Sequence, residues 1–251
     1  MRYAVGIPTR NREEMLGKTL DALAKQTLPP DLVVVVDNND VPAGPIQLNR
    51  RMRVWRIPCS FRTTGPEQGH QTALLVADEI GQKIMVRWDD DLIPESTCME
   101  KLVTPVHLGL AAAVGGMYPR FPQPGGAKPS TEAGSGDGND RHLQFFSWQG
   151  DDKVLQRNHL YSSFAYDVKS ALRVGGFCPE YSRFGQRGET DFTLRLAQEG
   201  RLLVDTSATA RHHWSPGGRR ASDGEMAALA EMDADLFRRR MIERKIDPDR
   251  W

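Results

Sequence analysis

Three cysteines, at positions 59, 98 and 178, are too few, too scattered and odd in number for a disulfide framework. No second Cys or His stands beside any of them at zinc-site spacing, so reduced thiols are expected. No apolar run approaches the roughly eighteen residues of a membrane-spanning helix, and the opening MRYAVGIPTRNREE turns charged too soon for the apolar segment of a secretory leader. A soluble, cytoplasmic protein is the expectation. Net charge is missing as well: 33 Lys and Arg face 33 Asp and Glu, which leaves no overall field of the kind that coats nucleic acid or an anionic bilayer. That balance gives a nucleic-acid acceptor little support without excluding it. Internal repeats are absent. What is present, 251 residues of which 39% are hydrophobic and 26% charged, suffices for one sizeable core and is unlike a disordered chain.

Apolar runs alternate with helical patterns. Tyr3 to Ile7 is a short run ended by Pro8, after which Met15, Leu16, Leu20 and Leu23 recur at helical spacing between Asn11 and Gln26. Leu32 to Val36 is an unbroken, mostly β-branched run, as in a strand buried on both faces of a parallel sheet. A third strand (Val54 to Ile57), a helix from about Gly69 to Ile80 and a fourth strand (Lys83 to Trp88) continue the alternation, which predicts an α/β sheet with right-handed crossovers. A helix near Ser96 to Thr104 and an apolar stretch, Ala111 to Met117, follow.

Regularity then fails. Eleven of the 24 residues from Gly115 to Gly138 are Gly or Pro, a density that supports neither helix nor central strand. Order is expected again at Leu143 to Trp148 and Leu160 to Ala165, in a short helix after Asp167, and in a helix from Glu189 to Glu199 closed by Gly200. Extended segments at Leu202 to Val204 and Ala208 to His213 come next. The tail from Ser222 reads as helix, with Ser222 and Glu225 spaced as a capping box.

Acids gather at strand ends. Asp37-Asn38-Asn39-Asp40 follows the second strand and Asp89-Asp90-Asp91 the fourth, where an open α/β sheet binds its ligands. Successive carboxylates repel one another unless a positive group sits among them, and hard oxygen ligands suit Mg²⁺ or Mn²⁺.

These residues resemble the inverting, metal-dependent glycosyltransferases of family 2 with the GT-A fold. The resemblance is carried by Val5-Gly6-Ile7-Pro8-Thr9-Arg10-Asn11-Arg12, by Val34 to Asn39, by the stretch GPEQGHQTALLVA from Gly65 to Ala77, by Trp88 to Asp91, and by Gly188-Glu189-Thr190-Asp191-Phe192-Thr193-Leu194-Arg195. It covers about residues 3 to 215. It implies a Rossmann-like mixed, mostly parallel sheet flanked by helices, with a C-terminal helical tail. Residues 1–118 would form a nucleotide-sugar and metal-binding half, 119–142 a flexible loop, 143–215 an acceptor-binding half, and 216–251 a closing loop and helix.

The resemblance further implies donor contacts from Pro8, Thr9, Arg10, Arg12, Asp37, Asn38, Asn39, Gly65, Gly69, Asp89 and Asp90. It implies a Mn²⁺ or Mg²⁺ ion on Asp91, with Asp89 assisting and a histidine as further ligand. His212 and His213 are adjacent, so in extended chain only one faces the ion, and His213 is preferred. Glu189, two residues before Asp191 and six before Arg195, stands where the family keeps its general base; Asp191 is the rival, because the family commonly has Asp preceded by Glu, whereas here Glu189 follows Gly188. A nucleoside diphosphate sugar, UDP-linked by family preference, would be the donor, and a hydroxyl the acceptor. Trp214 and SPGGRR at 215–220 suit a loop closing over diphosphate. Phe145, Phe146, Trp148 and Tyr161 could stack on an acceptor or pack in the core.

Two other readings compete. A nucleotidylyltransferase making the sugar nucleotide would also use such a sheet and carboxylate-bound metal, but its first strand leads into a glycine-rich phosphate loop rather than Pro8-Thr9-Arg10-Asn11. A non-catalytic nucleotide-sugar-binding module would be expected to lack the base or the metal acids, and neither is missing.

Overall fold

A computed structural model of the chain describes residues 1–41, 43, 52–59, 65–119, 144, 151–213 and 223–247. The first half alternates as the periodicity predicts: β1 (Ala4–Thr9), α1 (Glu13–Ala24), β2 (Leu32–Asp37), β3 (Arg53–Pro58), α2 (Pro66–Glu79), β4 (Ile84–Arg87), β5 (Leu92–Pro94), α3 (Cys98–His107) and β6 (Ala113–Met117). The second half adds β7 (Val154–Arg157), β8 (Phe164–Asp167), α4 (Val168–Arg173), α5 (Gly188–Leu196), β9 (Leu202–His212) and α6 (Asp223–Glu243).

The strands form one mixed sheet in the order β3-β2-β1-β4-β8-β6-β9-β5, with β7 also pairing β9. β3, β2, β1 and β4 run parallel, and β8 enters antiparallel between β4 and β6. Because strand side chains alternate, each central strand feeds two cores. Val5, Ile7, Val33 and Val35 pack with Leu16, Leu20 and Leu23 of α1 and Leu102 and Val103 of α3 on one face. Ala4, Val34 and Val36 pack with Ala73, Leu74 and Ala77 of α2 and with Phe192 and Leu196 of α5 on the other. A third, smaller cluster joins Leu236, Phe237 and Met241 of α6 to Cys178, Tyr181 and Leu194.

The structure departs from the expectations in places. α2 starts at Pro66 rather than Gly69, because Pro66 takes the first helical position behind Gly65, where its missing N–H costs nothing. The strand expected at 160–165 sits later, at Phe164–Asp167. The two extended segments after Gly200 are a single strand, β9, whose Leu202–Asp205 stretch pairs with β6 and β7 and whose Ala210–His212 end pairs with β5. β5 and β7, of three and four residues, are too short to leave a periodic signal. The Gly- and Pro-rich stretch beyond Pro119, the aromatic residues Phe145, Phe146 and Trp148, and the segment 214–222 with Ser222 lie outside the described residues.

Candidate active site

The carboxyl ends of β1 and β4 open into a cleft of about 290 Å³. One wall carries Pro8, Arg12 and the acids Asp89, Asp90 and Asp91; facing residues include Pro66, Phe184, Gly185 and Glu189. The acid run is held one residue at a time. Asp89 follows β4 after one residue, Trp88, and its carboxylate accepts from the Ser162 hydroxyl at 2.6 Å and from Arg87 Nη1 at 3.2 Å. Asp90 is turned inward, where it accepts from the Thr9 hydroxyl and from Arg12 Nη1, each at 2.8 Å. Arg12 also donates to Asp91 at 2.8 Å, and His212 Nε2 stands 3.3 Å from the other Asp91 oxygen. Burial opposes ionisation of Asp91, but His212 and Arg12 outweigh it and hold its carboxyl below the ordinary range. Asp90 goes the other way: burial, with Asp91 beside it, pushes its carboxyl up against the pull of Arg12 and Thr9.

A buried charge cluster adjoins the cleft, with Arg87 and His70 among the lining residues. Arg87, the last residue of an otherwise apolar strand, reaches Glu67 of α2 at 3.3 Å, Asp89, and the Ser162 carbonyl. Glu67 has no exposed surface, and its Oε2 has no hydrogen-bond partner among the described residues. Burial foremost, with Glu189 adding to it and Arg87 opposing, pushes the Glu67 carboxyl up to about 8. Glu189 sits in the first turn of α5, and burial raises its carboxyl too, against the attraction of Arg87. His70, buried against the Phe177 ring at 5.5 Å, is kept neutral by burial and by Arg87. Ser162 (φ 55°), Asn11 (φ 53°) and Arg187 (φ 72°) all hold the left-handed backbone that non-glycine residues avoid, and each adjoins the cleft or a loop that forms it.

The sequence model of the family described as Glycosyl transferase family 2 matches residues 4–169. The chain belongs to that family. No curated protein sequence matches it. Its fold is shared by Staphylococcus aureus (S. aureus) TarS. The structure of TarS 1–349 in complex with UDP-GlcNAc aligns with a TM-score of 0.62 at 13% identity, over 94% of this chain and 66% of that one. The complex of TarS 1–349 with UDP gives 0.59 at 15% identity, over 93% and 65%. A longer TarS chain gives 0.58 at 15%, over 93% of this chain and 40% of that one. The mixed sheet flanked by helices is the GT-A fold, and the chain spans less than two thirds of the length of these TarS chains.

The family 2 residues expected at the donor end are not equally placed. Pro8, Arg12, Asp89 and Asp90 line the cleft, and Thr9 stands behind them on Asp90. Arg10 is turned to Asp40 at 2.8 Å. Asp37, buried at the end of β2, is clasped by Arg56 Nε at 2.7 Å and by the backbone N–H groups of Asn39 and Ala43, while the Asn39 side chain reaches Glu13. Asn38 donates its backbone N–H to the Thr9 carbonyl. Gly69 packs under Pro8, where a Cβ would sit 2.8 Å from the proline ring, and Gly65 presses on the Ser182 carbonyl.

Three placements bear on the chemistry. Of the adjacent pair it is His212, not His213, that lines the cleft, where His70 lies as well: β9 pairs with β5 so that His212 stands opposite Leu92, while His213 gives its backbone N–H to the Asp91 carbonyl. Asp191 is fully buried and faces away, with one oxygen on Arg195 and the other on Arg240, each at 2.8 Å. Glu189 alone of the two acids lines the cleft. Ser162 and Phe184 join the site without a motif to announce them, and Glu67 lies within the Gly65–Ala77 stretch with no signal of its own; the one available signal is a charged residue, Arg87, ending a strand otherwise made of Ile, Met and Val.

Among the described residues no group of three His, Cys, Asp or Glu side chains forms a ready metal cage. Asp91 and His212 nonetheless present one hard oxygen and one imidazole nitrogen at the cleft, and Mg²⁺ and Mn²⁺ are commonly held by one or two side chains together with substrate phosphates. That donor set fits such an ion.

Proposed function

We propose that this chain is a glycosyltransferase that moves a sugar from a nucleoside diphosphate donor, UDP-linked, to an acceptor hydroxyl, with inversion at the anomeric carbon. One observation carries the reading. A buried carboxylate of raised proton affinity, Glu189, shares a single cleft with the strand-end acids Asp89, Asp90 and Asp91. The UDP-GlcNAc and UDP that TarS binds support the choice of nucleotide.

In this mechanism Asp91 and His212 would hold Mn²⁺ or Mg²⁺, which when bound would stabilise the charge building on the diphosphate leaving group. Arg12 keeps Asp90 and Asp91 close together despite their like charge, so the donor end is preformed. Asp89, oriented by Ser162 and Arg87, is placed to accept hydrogen bonds from donor hydroxyls. Glu189 takes the proton of the acceptor hydroxyl as that oxygen attacks, and its elevated affinity brings it nearer the working pH that general-base catalysis favours. Arg87 stabilises the ionised form without forming an ion contact that would block it. A cytoplasmic location belongs to the same proposal, and the free thiols of Cys59, Cys98 and Cys178 are compatible with it.

Calorimetric titration with UDP and UDP-GlcNAc, with and without Mn²⁺, tests the reading. Expected are metal-dependent binding of both, slow release of sugar from UDP-GlcNAc, and an initial anomer opposite to the donor's by proton NMR. Binding of neither ligand would remove the nucleotide-sugar assignment; a retained anomer would remove single displacement; full turnover in chelator would remove the metal.

A further inference from the structure

Helix α6 contributes no side chain to the cleft lining among the described residues, yet one of its carboxylates holds the loop that forms a wall of it. Asp233, 1% exposed, accepts from Ser182 N at 2.7 Å through one oxygen, and from the Ser182 hydroxyl and Gln186 N at 2.8 Å each through the other. The Ser182 hydroxyl in turn accepts from Phe184 N at 3.0 Å. Alternate backbone N–H groups of residues 182–186 are thus tied, directly or through one hydroxyl, to a side chain 51 positions further along the chain. The loop so wrapped presents Phe184 and Gly185 to the cleft and runs into Gly188 and Glu189.

The other side of the loop abuts the start of α2, where a Cβ on Gly185 would lie 2.7 Å from the Pro66 ring. α6 itself is fixed independently, by its apolar cluster with Tyr181 and Leu194 and by Arg240 on Asp191. Arg187, the residue before α5, places its guanidinium 5.9 Å from the Phe237 ring of α6. Charge-assisted hydrogen bonds of this kind are strong and directional, and removing the acceptor orphans donors that are partly or wholly shielded from water.

We infer that Asp233 is a positioning residue for the acceptor side of the cleft: its carboxylate sets residues 182–186 and, through them, the entry into α5 that carries Glu189. The donor end is supported elsewhere, by β1, β4 and Arg12. The inference rests on the assignment of Glu189 as base made above. It separates two functions that share one cleft, because a change in α6 should disturb attack without disturbing nucleotide.

Asp233→Asn keeps the side-chain volume but turns an NH₂ toward groups that themselves donate. Amide hydrogen exchange of the variant should quicken across residues 182–189, by about tenfold or more for loss of such bonds, with β1 and β4 unchanged. Affinity for UDP with Mn²⁺ should stay at the wild-type value. The kcat for UDP-GlcNAc breakdown should fall about tenfold to a hundredfold, the scale of a misplaced catalytic group. If the Asn variant fails to fold, Ser182→Ala, which deletes the two bonds made by the hydroxyl and leaves the backbone bonds to Asp233, should show the same split on a smaller scale. Unaltered exchange at 182–189, or UDP affinity falling in step with kcat, overturns the inference. Should the wild type bind no UDP, the nucleotide-sugar reading fails, and the exchange pattern alone still decides the role of Asp233.

Discussion

Glu67 and Gly188 are packed so closely that a Cβ on Gly188 would clash with Cγ and Cδ of Glu67 and lie 2.8 Å from its Oε1. Gly188 opens the helix that carries Glu189, so any side chain there pushes Glu189, the proposed base, away from its seat or the buried Glu67 carboxyl away from Arg87. Gly188→Ala should therefore destabilise the protein by about 1–3 kcal/mol, the usual range for overpacking, and lower turnover. Adding Glu67→Ala to Gly188→Ala makes room. The double variant should be less destabilised than the two single changes add up to, a coupling readable by denaturant titration of all four proteins. Simple additivity would mean that the two positions do not press on each other.

The same carboxylate makes stability depend on pH. Glu67 rises from 4.5 to about 8 in the folded protein, with burial as the main cause. Between those values the native state holds a proton that the unfolded chain has released, so the native state binds more protons and stability falls as pH rises through the window. The contribution is fully present below the unfolded value and gone above the folded one. Glu67→Gln removes this titration, and melting temperatures taken from about pH 5 to 8 should decline less steeply in the variant. Parallel curves for the two proteins would show that Glu67 is ionised across the range.

Much of the fold is legible in the residue pattern alone. β2 reads as a doubly buried strand because Leu32 to Val36 contains no polar residue, and α1 reads as a helix because Leu16, Leu20 and Leu23 fall on one face. The acid run after β4 and the placement of Glu189 at a helix start are equally local. What escapes is whatever depends on tertiary phase. Alternation says that His212 and His213 point apart, but only pairing with β5, a three-residue strand without a sequence signature, selects His212. The Asp191–Arg195 pair is readable as an i,i+4 contact; Arg240, 49 positions away, is not, and it is the second arginine that uses the remaining oxygen of Asp191. Glu67 is hidden for the same reason, since its partner Arg87 is 20 positions away on another element.

His212 and His213 offer a sharp test at the donor end. Asp91→Ala should abolish Mn²⁺-dependent binding of UDP, and His212→Ala should weaken it, because these two groups face the cleft together. His213→Ala leaves the backbone N–H that bonds the Asp91 carbonyl and should bind UDP as the wild type does. Calorimetry in Mn²⁺ and in chelator distinguishes the cases. A His213 variant weaker than the His212 variant would exchange their assignments, and equal UDP affinity with and without chelator in the wild type would remove the ion.

Glu189 and Asp191 are separated by one residue on α5 but occupy different surroundings, and their variants should fail differently. Glu189→Gln keeps the size and most hydrogen bonding of the side chain while removing its capacity to take a proton. Transfer should drop by roughly a hundredfold or more, the usual worth of general-base catalysis, with UDP affinity and melting temperature near wild type. Asp191→Asn removes one charge from a buried site flanked by Arg195 and Arg240, which leaves guanidinium groups incompletely compensated. Breaking a buried pair in this way costs about 3–5 kcal/mol, so the loss should appear first as a lower melting temperature, with whatever protein remains folded retaining most of its turnover. The two measurements, kcat and thermal stability, must therefore move in opposite proportions in the two variants. A stable, inactive Asp191→Asn beside an active Glu189→Gln would make Asp191 the base and would require α5 to turn its buried face toward the cleft.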